Sequence, residues 1–169
     1  MILDVGCGEH KRGDIGVDKR RLPGVDIIVD IDKTGLPFHN SSFDMVVSHH
    51  VIEHLQNPEY LIKEIFRVSK GRVKIVCPHR FGQYAKITLD HIQFYNKKWF
   101  TQLAKKLGVN VKVRTTFEPV IYFGVCGLLM RPNELIVEYI KPMNEKDETT
   151  RLVFFTQEAK ELIRIQRGH

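Results

Sequence analysis

Apolar residues in this chain fall into short runs, and most of the early runs end on a glycine or an aspartate. Residues 2–5 (ILDV) close on the bend Gly6-Cys7-Gly8; residues 15–17 and 25–29 each close on an acid, Asp18 and Asp30. Residues 43–48 form a fourth run and 73–77 a fifth. β-Branched side chains dominate them, as in the buried strands of a parallel sheet. Between the fourth and fifth runs the period changes to that of a helix. Asn57 serves as its cap and Pro58 as its first residue, Leu61, Ile62, Ile65 and Phe66 form its apolar face, and Gly71 stops it. A second helix runs from Asn96 through Trp99, Phe100, Leu103 and Leu107 to a stop at Gly108. Residues 109–113 and 135–140 read as late strands, and 156–167 as a terminal helix with Leu162, Ile163 and Ile165 inward. The alternation predicts a three-layer α/β domain with a mainly parallel sheet.

With 169 residues the chain suits one domain, a core over 1–140 and a C-terminal extension over 141–169 that ends in the helix. Its longest mostly apolar stretch, 120–130, contains two glycines and is too short for a membrane span. With no basic-then-apolar leader in view, the expected location is the cytoplasm. Cys7, Cys77 and Cys126 are odd in number and widely spaced, which fits a reducing compartment better than a disulfide framework. The formal charge is +6, but lysines and arginines are dispersed (Lys11, Arg12, Lys19, Arg20, Arg21, then Lys97, Lys98, Lys105, Lys106). That reads as solvated faces rather than a nucleic-acid stripe.

The bend after the first run carries the first chemistry. Gly6 and Gly8 allow positive φ and close approach of a ligand to backbone. In doubly wound sheets ligands bind at the carboxyl ends of strands near the point where strand order reverses, and an acid closing the second strand can accept both hydroxyls of a ribose. Asp18 stands at that place, only ten positions beyond Gly8. The spacing leaves no room for an ordinary first helix, so "EHKRGD" must form a turn or loop.

The quoted segments together resemble the class I S-adenosylmethionine-dependent methyltransferases, in particular a short subgroup similar to the methyltransferase type 11 family. "LDVGCG" resembles the first motif of that family and "IGVD" its ribose-binding strand end. "VDIDKTGLPFHNSSFDMVVSHHVIEHL" resembles the third-strand acid, the LPF…SFD stretch and the fourth strand running into an "EHL" helix. "GRVKIVCPH" is similar to the fifth strand, and "HIQFYNKKWFTQLAKKLG" to the late histidine-aromatic segment and helix. The resemblance spans roughly residues 1–140 and implies a Rossmann-like sheet of seven strands, the last antiparallel. It also implies a cofactor, S-adenosylmethionine, with S-adenosylhomocysteine as product. Asp4, Gly6, Cys7 and Gly8 would hold the methionine moiety and Asp18 the ribose. Asp30 and Ile31 would contact the adenine, with Asp32 as the fallback. Ser48, His49 and His50 would line the methyl-transfer mouth. The segment that usually precedes strand one and caps the site is not seen, so a homodimer partner is one expected cover.

The histidines leave alternatives open. His50, Glu53 and His54 have the HxxEH spacing of inverted zinc hydrolases, with Glu64, Glu118 or His91 as a third ligand. A buried Glu53–His54 pair bracing the loop explains the same residues, and no metal is assigned. His79, Asp90 and His91 follow the fifth run and could reach an acceptor; His49, His50, His79 and His91 are the candidate acid–base groups. Methyl transfer depends mostly on in-line positioning, so a dedicated base is not required. Asp44 reads as a structural cap or pair. "SHHV" stands where an amine-methylating enzyme carries an Asn-Pro-Pro-Tyr type motif. With no aromatic stacking platform in view, a small-molecule or glycan-precursor acceptor is preferred to RNA. The competing readings are a non-catalytic cofactor-binding module and a zinc hydrolase. A nicotinamide dehydrogenase lacks support, because Lys11 and Arg12 stand where its third glycine and helix start belong.

Overall fold

The computed structural model describes residues 1–82, 89–121 and 128–140, the side chains of 118–121 and 128–130 excepted. The strands are β1 (Ile2–Val5), β2 (Ile15–Asp18), β3 (Ile27–Ile28), β4 (Phe43–His49), β5 (Ser69–Pro78), β6 (Asn110–Ile121) and β7 (Leu128–Ile140). They build one seven-stranded sheet in the order β3-β2-β1-β4-β5-β7-β6. β1 to β5 pair in parallel, and β7 runs antiparallel to both β5 and β6. The α/β class and the reversed last strand agree with expectation. Strand order reverses between β1 and β4, the place where such sheets open a crevice at their carboxyl edge.

Strand register separates the two faces of the sheet. Leu3 and Val5 align with Val46 and Ser48, these with Val73 and Ile75, and these with Tyr139 and Val137. All are buried, and the apolar ones join a single core cluster. Three helices lie on this face: α1 (Ile31–Thr34), α2 (Pro58–Val68) and α3 (Lys97–Leu107). α2 contributes Leu61, Ile62 and Ile65 to that cluster, and Phe66 sets its ring edge-on to Tyr139 at 5.2 Å. α3 contributes Phe100, Leu103 and Ala104.

The helix boundaries follow from local chemistry. Asn57 Oδ1 accepts the Tyr60 amide at 3.1 Å, and Asn96 Oδ1 accepts the Trp99 amide at 3.0 Å. Gly108 closes α3 in the left-handed region, φ 65. Gly71 is not the stop of α2: the helix ends at Val68, and Gly71 already belongs to β5. The reason is Ser69, whose hydroxyl donates to Arg72 O and accepts the Gly71 amide, both at 3.1 Å, turning the chain early. The run 25–29 shortens to a two-residue strand, while the late strands lengthen into a hairpin reaching Ile121 and resuming at Leu128. The terminal helix expected at 156–167 and most of the apolar stretch 120–130 lie outside the described residues.

Among the described residues, no helix covers β1 and β2 on the opposite face. A parallel pair usually needs a crossover of roughly a dozen residues or more, generally helical. Here residues 6–14 join β1 to β2 as a loop tied down by carboxylates. Asp4 Oδ2 accepts the Arg12 amide at 2.6 Å, and Asp14 Oδ2 accepts the Ile2 amide at 2.7 Å. Asp26 Oδ2 accepts both Lys11 Nζ (2.7 Å) and the Gly16 amide (2.8 Å). Gly16 is required by the close approach: a Cβ there would lie 2.6 Å from Cys7 Sγ and 3.0 Å from Gly24 O. Asp44 pairs with the amino terminus and with Lys70, the structural role expected of it.

Ile62 is fully buried between α2 and the sheet. Ile62→Ala is expected to lower unfolding free energy by about 2–5 kcal/mol, and Asn57→Ala by about 1 kcal/mol. Urea denaturation followed by circular dichroism measures both, and equal losses for the two would contradict this packing.

Candidate functional site

The bend after β1 is fixed from beneath. Gly6 adopts φ 72 and Gly8 φ 54, and the amides of Gly6 and Cys7 both donate to Val17 O, at 2.8 and 3.1 Å. A Cβ on Gly6 would sit 2.2 Å from Val51 Cγ2, so only glycine fits. Asp18 closes β2 with a buried carboxylate. Its Oδ2 accepts the Gly8 amide at 3.0 Å, and its Oδ1 accepts the Arg20 amide and Nε at 2.9 and 3.1 Å. Burial pushes the Asp18 carboxyl up, but the Arg20 side chain and the two backbone amides outweigh it and hold it below 3.8. Asp30 precedes α1 without a side-chain capping hydrogen bond and pairs with Lys33 at 2.9 Å.

A cleft of about 410 Å³ opens at this carboxyl edge. Gly6 forms part of its floor, and Asp18, Lys19 and Arg20 form one wall. Val29, Asp30, Ile31 and Asp32 form a second wall, and His50, Val51, His54, Leu55 and Asp90 a third. Of the residues assigned to a cofactor from sequence, Gly6, Asp18, Asp30 and Ile31 therefore meet in one cleft, together with the fallback Asp32.

The others lie elsewhere. Asp4 is fully buried beneath the loop, and its Oδ1 has no hydrogen-bond partner among the described residues. Burial raises its carboxyl, only partly opposed by the Arg12 amide and guanidinium. Cys7 points at Gly24 O (3.6 Å), and burial, with Asp4 and Asp18 nearby, pushes its thiol up to about 11. Gly8 contributes through its amide to Asp18. Ser48 is buried, its hydroxyl without a partner among the described residues.

The four candidate acid–base histidines diverge. His49 is pushed down to about 4 by burial and by Arg12 and Lys74, which leaves it neutral at pH 7, and it does not line the cleft. His50 does, at φ 53, with Nε2 2.9 Å from Glu134 Oε1. Contact with Glu53 first, and then Glu134, raises its pKa above 6.5. His79 accepts the Phe81 amide at 3.2 Å, and burial beside Arg80 lowers it. His91 stacks edge-on with His54 at 4.8 Å.

The HxxEH spacing does not build a helical ligand pair. Only Ile52–His54 are helical, as a single 3-10 turn, so His50 and His54 do not share an α-helical face. Glu64 is engaged by Arg67 (2.7 Å) and the Leu36 amide (2.9 Å), and the Glu118 side chain lies outside the described residues. Sequence reasoning missed Arg20, Val51 and Leu55 in the cleft, whereas Asp90, read as able to reach an acceptor, does line it. Arg20 was readable as a cation two positions after the strand-ending acid; Asp90 reaches the cleft only through tertiary folding.

Residues 12–77, from the loop before β2 to the end of β5, match a family model described as a methyltransferase domain. Over 94 residues the chain is 36% identical to demethylmenaquinone methyltransferase of Renibacterium salmoninarum, covering 53% of this chain and 39% of that protein. A probable S-adenosylmethionine-dependent methyltransferase of Mycolicibacterium smegmatis is 29% identical over 134 residues, covering 66% and 52%. The chain thus spans about half or less of the length of these curated relatives. Among solved structures, a SAM-dependent methyltransferase from Archaeoglobus fulgidus superposes with a TM-score of 0.63 at 17% identity, covering 83% of this chain and 85% of that one. No helix among the described residues is long and apolar enough to cross a membrane.

Because Arg20 holds the Asp18 carboxyl down, Arg20→Ala is expected to raise its titration midpoint, read by carboxyl carbon NMR. The sign for stability follows. A depressed folded-state carboxyl contributes stability above 3.8 that is lost as pH falls through its folded value. The variant should lose part of that contribution, giving a shallower acid limb in urea unfolding; an unchanged Asp18 midpoint would rule the pairing out.

Proposed function

We propose that this chain is a class I S-adenosylmethionine-dependent methyltransferase, transferring a methyl group from S-adenosylmethionine to a small-molecule or glycan-precursor acceptor. One observation carries the reading: a side-chain-free bend at Gly6, a buried acid at Asp18 and a half-buried acid at Asp30 line the same cleft. The residues fit the cofactor. Asp18 has the acceptor oxygens that a ribose diol needs, and Val29, Ile31 and Leu55 offer apolar surface for an adenine ring beside Asp30. Gly6 brings bare backbone to the bend, with Val51 packed against it. The bound sulfonium supplies an electrophilic methyl group and needs little acid–base help.

For the chain's own residues, the first requirement is movement of Arg20. Its guanidinium occupies the Asp18 oxygens at 3.1 and 3.3 Å, but its side chain is 63% exposed. It can therefore swing to solvent and leave the carboxylate to a diol. Asp4 and the loop carboxylates hold the bend while this happens. His50, fixed between two glutamates, stands at the acceptor end of the cleft.

Charge supports the acceptor class. Among the described residues, Asp18, Asp30, Asp32 and Asp90 line the cleft against Lys19 and Arg20 as lasting cations. A polyanionic RNA backbone meets an unfavourable field there, whereas a neutral or hydroxyl-bearing small acceptor does not. A soluble cytoplasmic enzyme and a partner copy covering the open cleft are part of the same proposal.

S-Adenosylhomocysteine should bind the chain in a calorimeter, and Asp18→Asn, which keeps the shape but removes the charge, should weaken it by about tenfold or more. Wild-type protein that does not bind the nucleoside, or a variant that binds it equally well, overturns the reading.

A further inference from the structure

Glu53 stands out among the described residues as a buried acid with both carboxylate oxygens unsatisfied. It is 1% exposed, and neither carboxylate oxygen has a hydrogen-bond partner among the described residues. His50 Nδ1 lies 3.3 Å from Oε1, an ion-pair distance without hydrogen-bond alignment, and the other nitrogen of His50 is already engaged with Glu134. A carboxylate taken out of water with so little compensation is costly, and buried charges in proteins are normally paired or bound to metal.

What surrounds Glu53 is a ligand set. A carboxylate oxygen of Glu53 and one ring nitrogen each of His54 and His91 lie within 4.8 Å of one another. Ligand bonds of about 2.0–2.2 Å put neighbouring donors in a tetrahedral site roughly 3.3–3.6 Å apart, within reach of small side-chain rotations. The outer shell is also present. His54 Nδ1 lies 3.2 Å from both the backbone oxygen and Oδ2 of Asp90. A proton on Nδ1 donated to Asp90 leaves Nε2 as the donor nitrogen, the carboxylate–histidine arrangement that orients metal-bound imidazoles. Backbone geometry fixes the two halves together: the amides of Ile92 and Gln93 both donate to Glu53 O, at 2.9 and 3.1 Å.

We propose that Glu53, His54 and His91 bind one divalent transition-metal ion at the edge of the cleft. One carboxylate and two imidazoles suit zinc, manganese or cobalt. His50 is not a ligand; it positions Glu53 from the side. This set differs from the HxxEH reading in that Glu53 takes the place of His50 as a ligand, while His91 is the one of its three candidate third ligands that the fold brings close. Three protein ligands leave coordination open, and His54 and Asp90 line the cleft, so the open side faces it. The ion would hold an oxygen-bearing acceptor there, a role that rests on the methyl-transfer reading; the binding of the ion does not.

The test uses the full chain without a histidine tag, stripped with chelator and dialysed, and titrated with cobalt(II) in the absence of any nucleoside. One equivalent should bind with visible ligand-field bands, and zinc should displace it. His54→Ala and His91→Ala should each weaken binding by about tenfold or more, while His10→Ala, on the exposed loop, should bind as wild type. Wild-type protein that takes up no stoichiometric cobalt overturns the proposal, as does either ligand variant binding as tightly as wild type. Since no nucleoside is present, this outcome is independent of the S-adenosylhomocysteine measurement.

Discussion

The buried carboxylate of Asp4 accepting the Arg12 amide is the contact on which the site depends. It lies under a loop that does the work of a helix, between two parallel strands with little chain to spare. Asp14 and Asp26 repeat the device at the other end of the loop, one holding the start of β1 and the other holding Lys11 over Gly16. Net hydrogen bonds to charged groups contribute about 1.5–3 kcal/mol each, and more is lost if a buried partner is left unsatisfied. A few such bonds can therefore replace the apolar face of a missing helix while keeping the Gly6 bend in place.

The division of the sheet follows. On the face that carries α1, α2 and α3, register stacks Leu3, Val46, Val73 and Tyr139 into a continuous apolar core. On the face over β1 and β2, backbone and polar side chains approach so closely that Gly16 has no room for a Cβ. The cleft lies where these two kinds of construction meet. That position explains its mixed lining of bare backbone, apolar side chains and carboxylates.

Much of this was legible in residues. Runs ending on Asp18 and Asp30, the caps Asn57 and Asn96, and Gly108 located strands, helices and two edges of the cleft, because each depends on local chemistry. The assignments of Gly6, Asp18, Asp30 and Ile31 fall together in space because strand ends in such sheets share one edge. Gly71 misled, since glycine signals a stop only if nothing upstream turns the chain, and the Ser69 hydroxyl does so first. Ser48 and His49 show the limit of reading a strand end: successive residues point to opposite faces, and neither faces the cleft. Glu53, His54 and His91 were each visible as types, but their meeting depends on where the segment after β5 returns, which no periodicity encodes.

The helix-free connection between β1 and β2 makes the molecule mechanically uneven. One face of the sheet is held by close-packed hydrocarbon; over β1 and β2 the other is latched by a handful of charged and backbone groups near solvent. Sub-global opening draws on the least cohesive unit first. Amide protons around the bend should therefore exchange with deuterium well ahead of those in β5 and β7, so that the part of the protein that shapes the cleft is also the part with the shallowest reserve against unravelling.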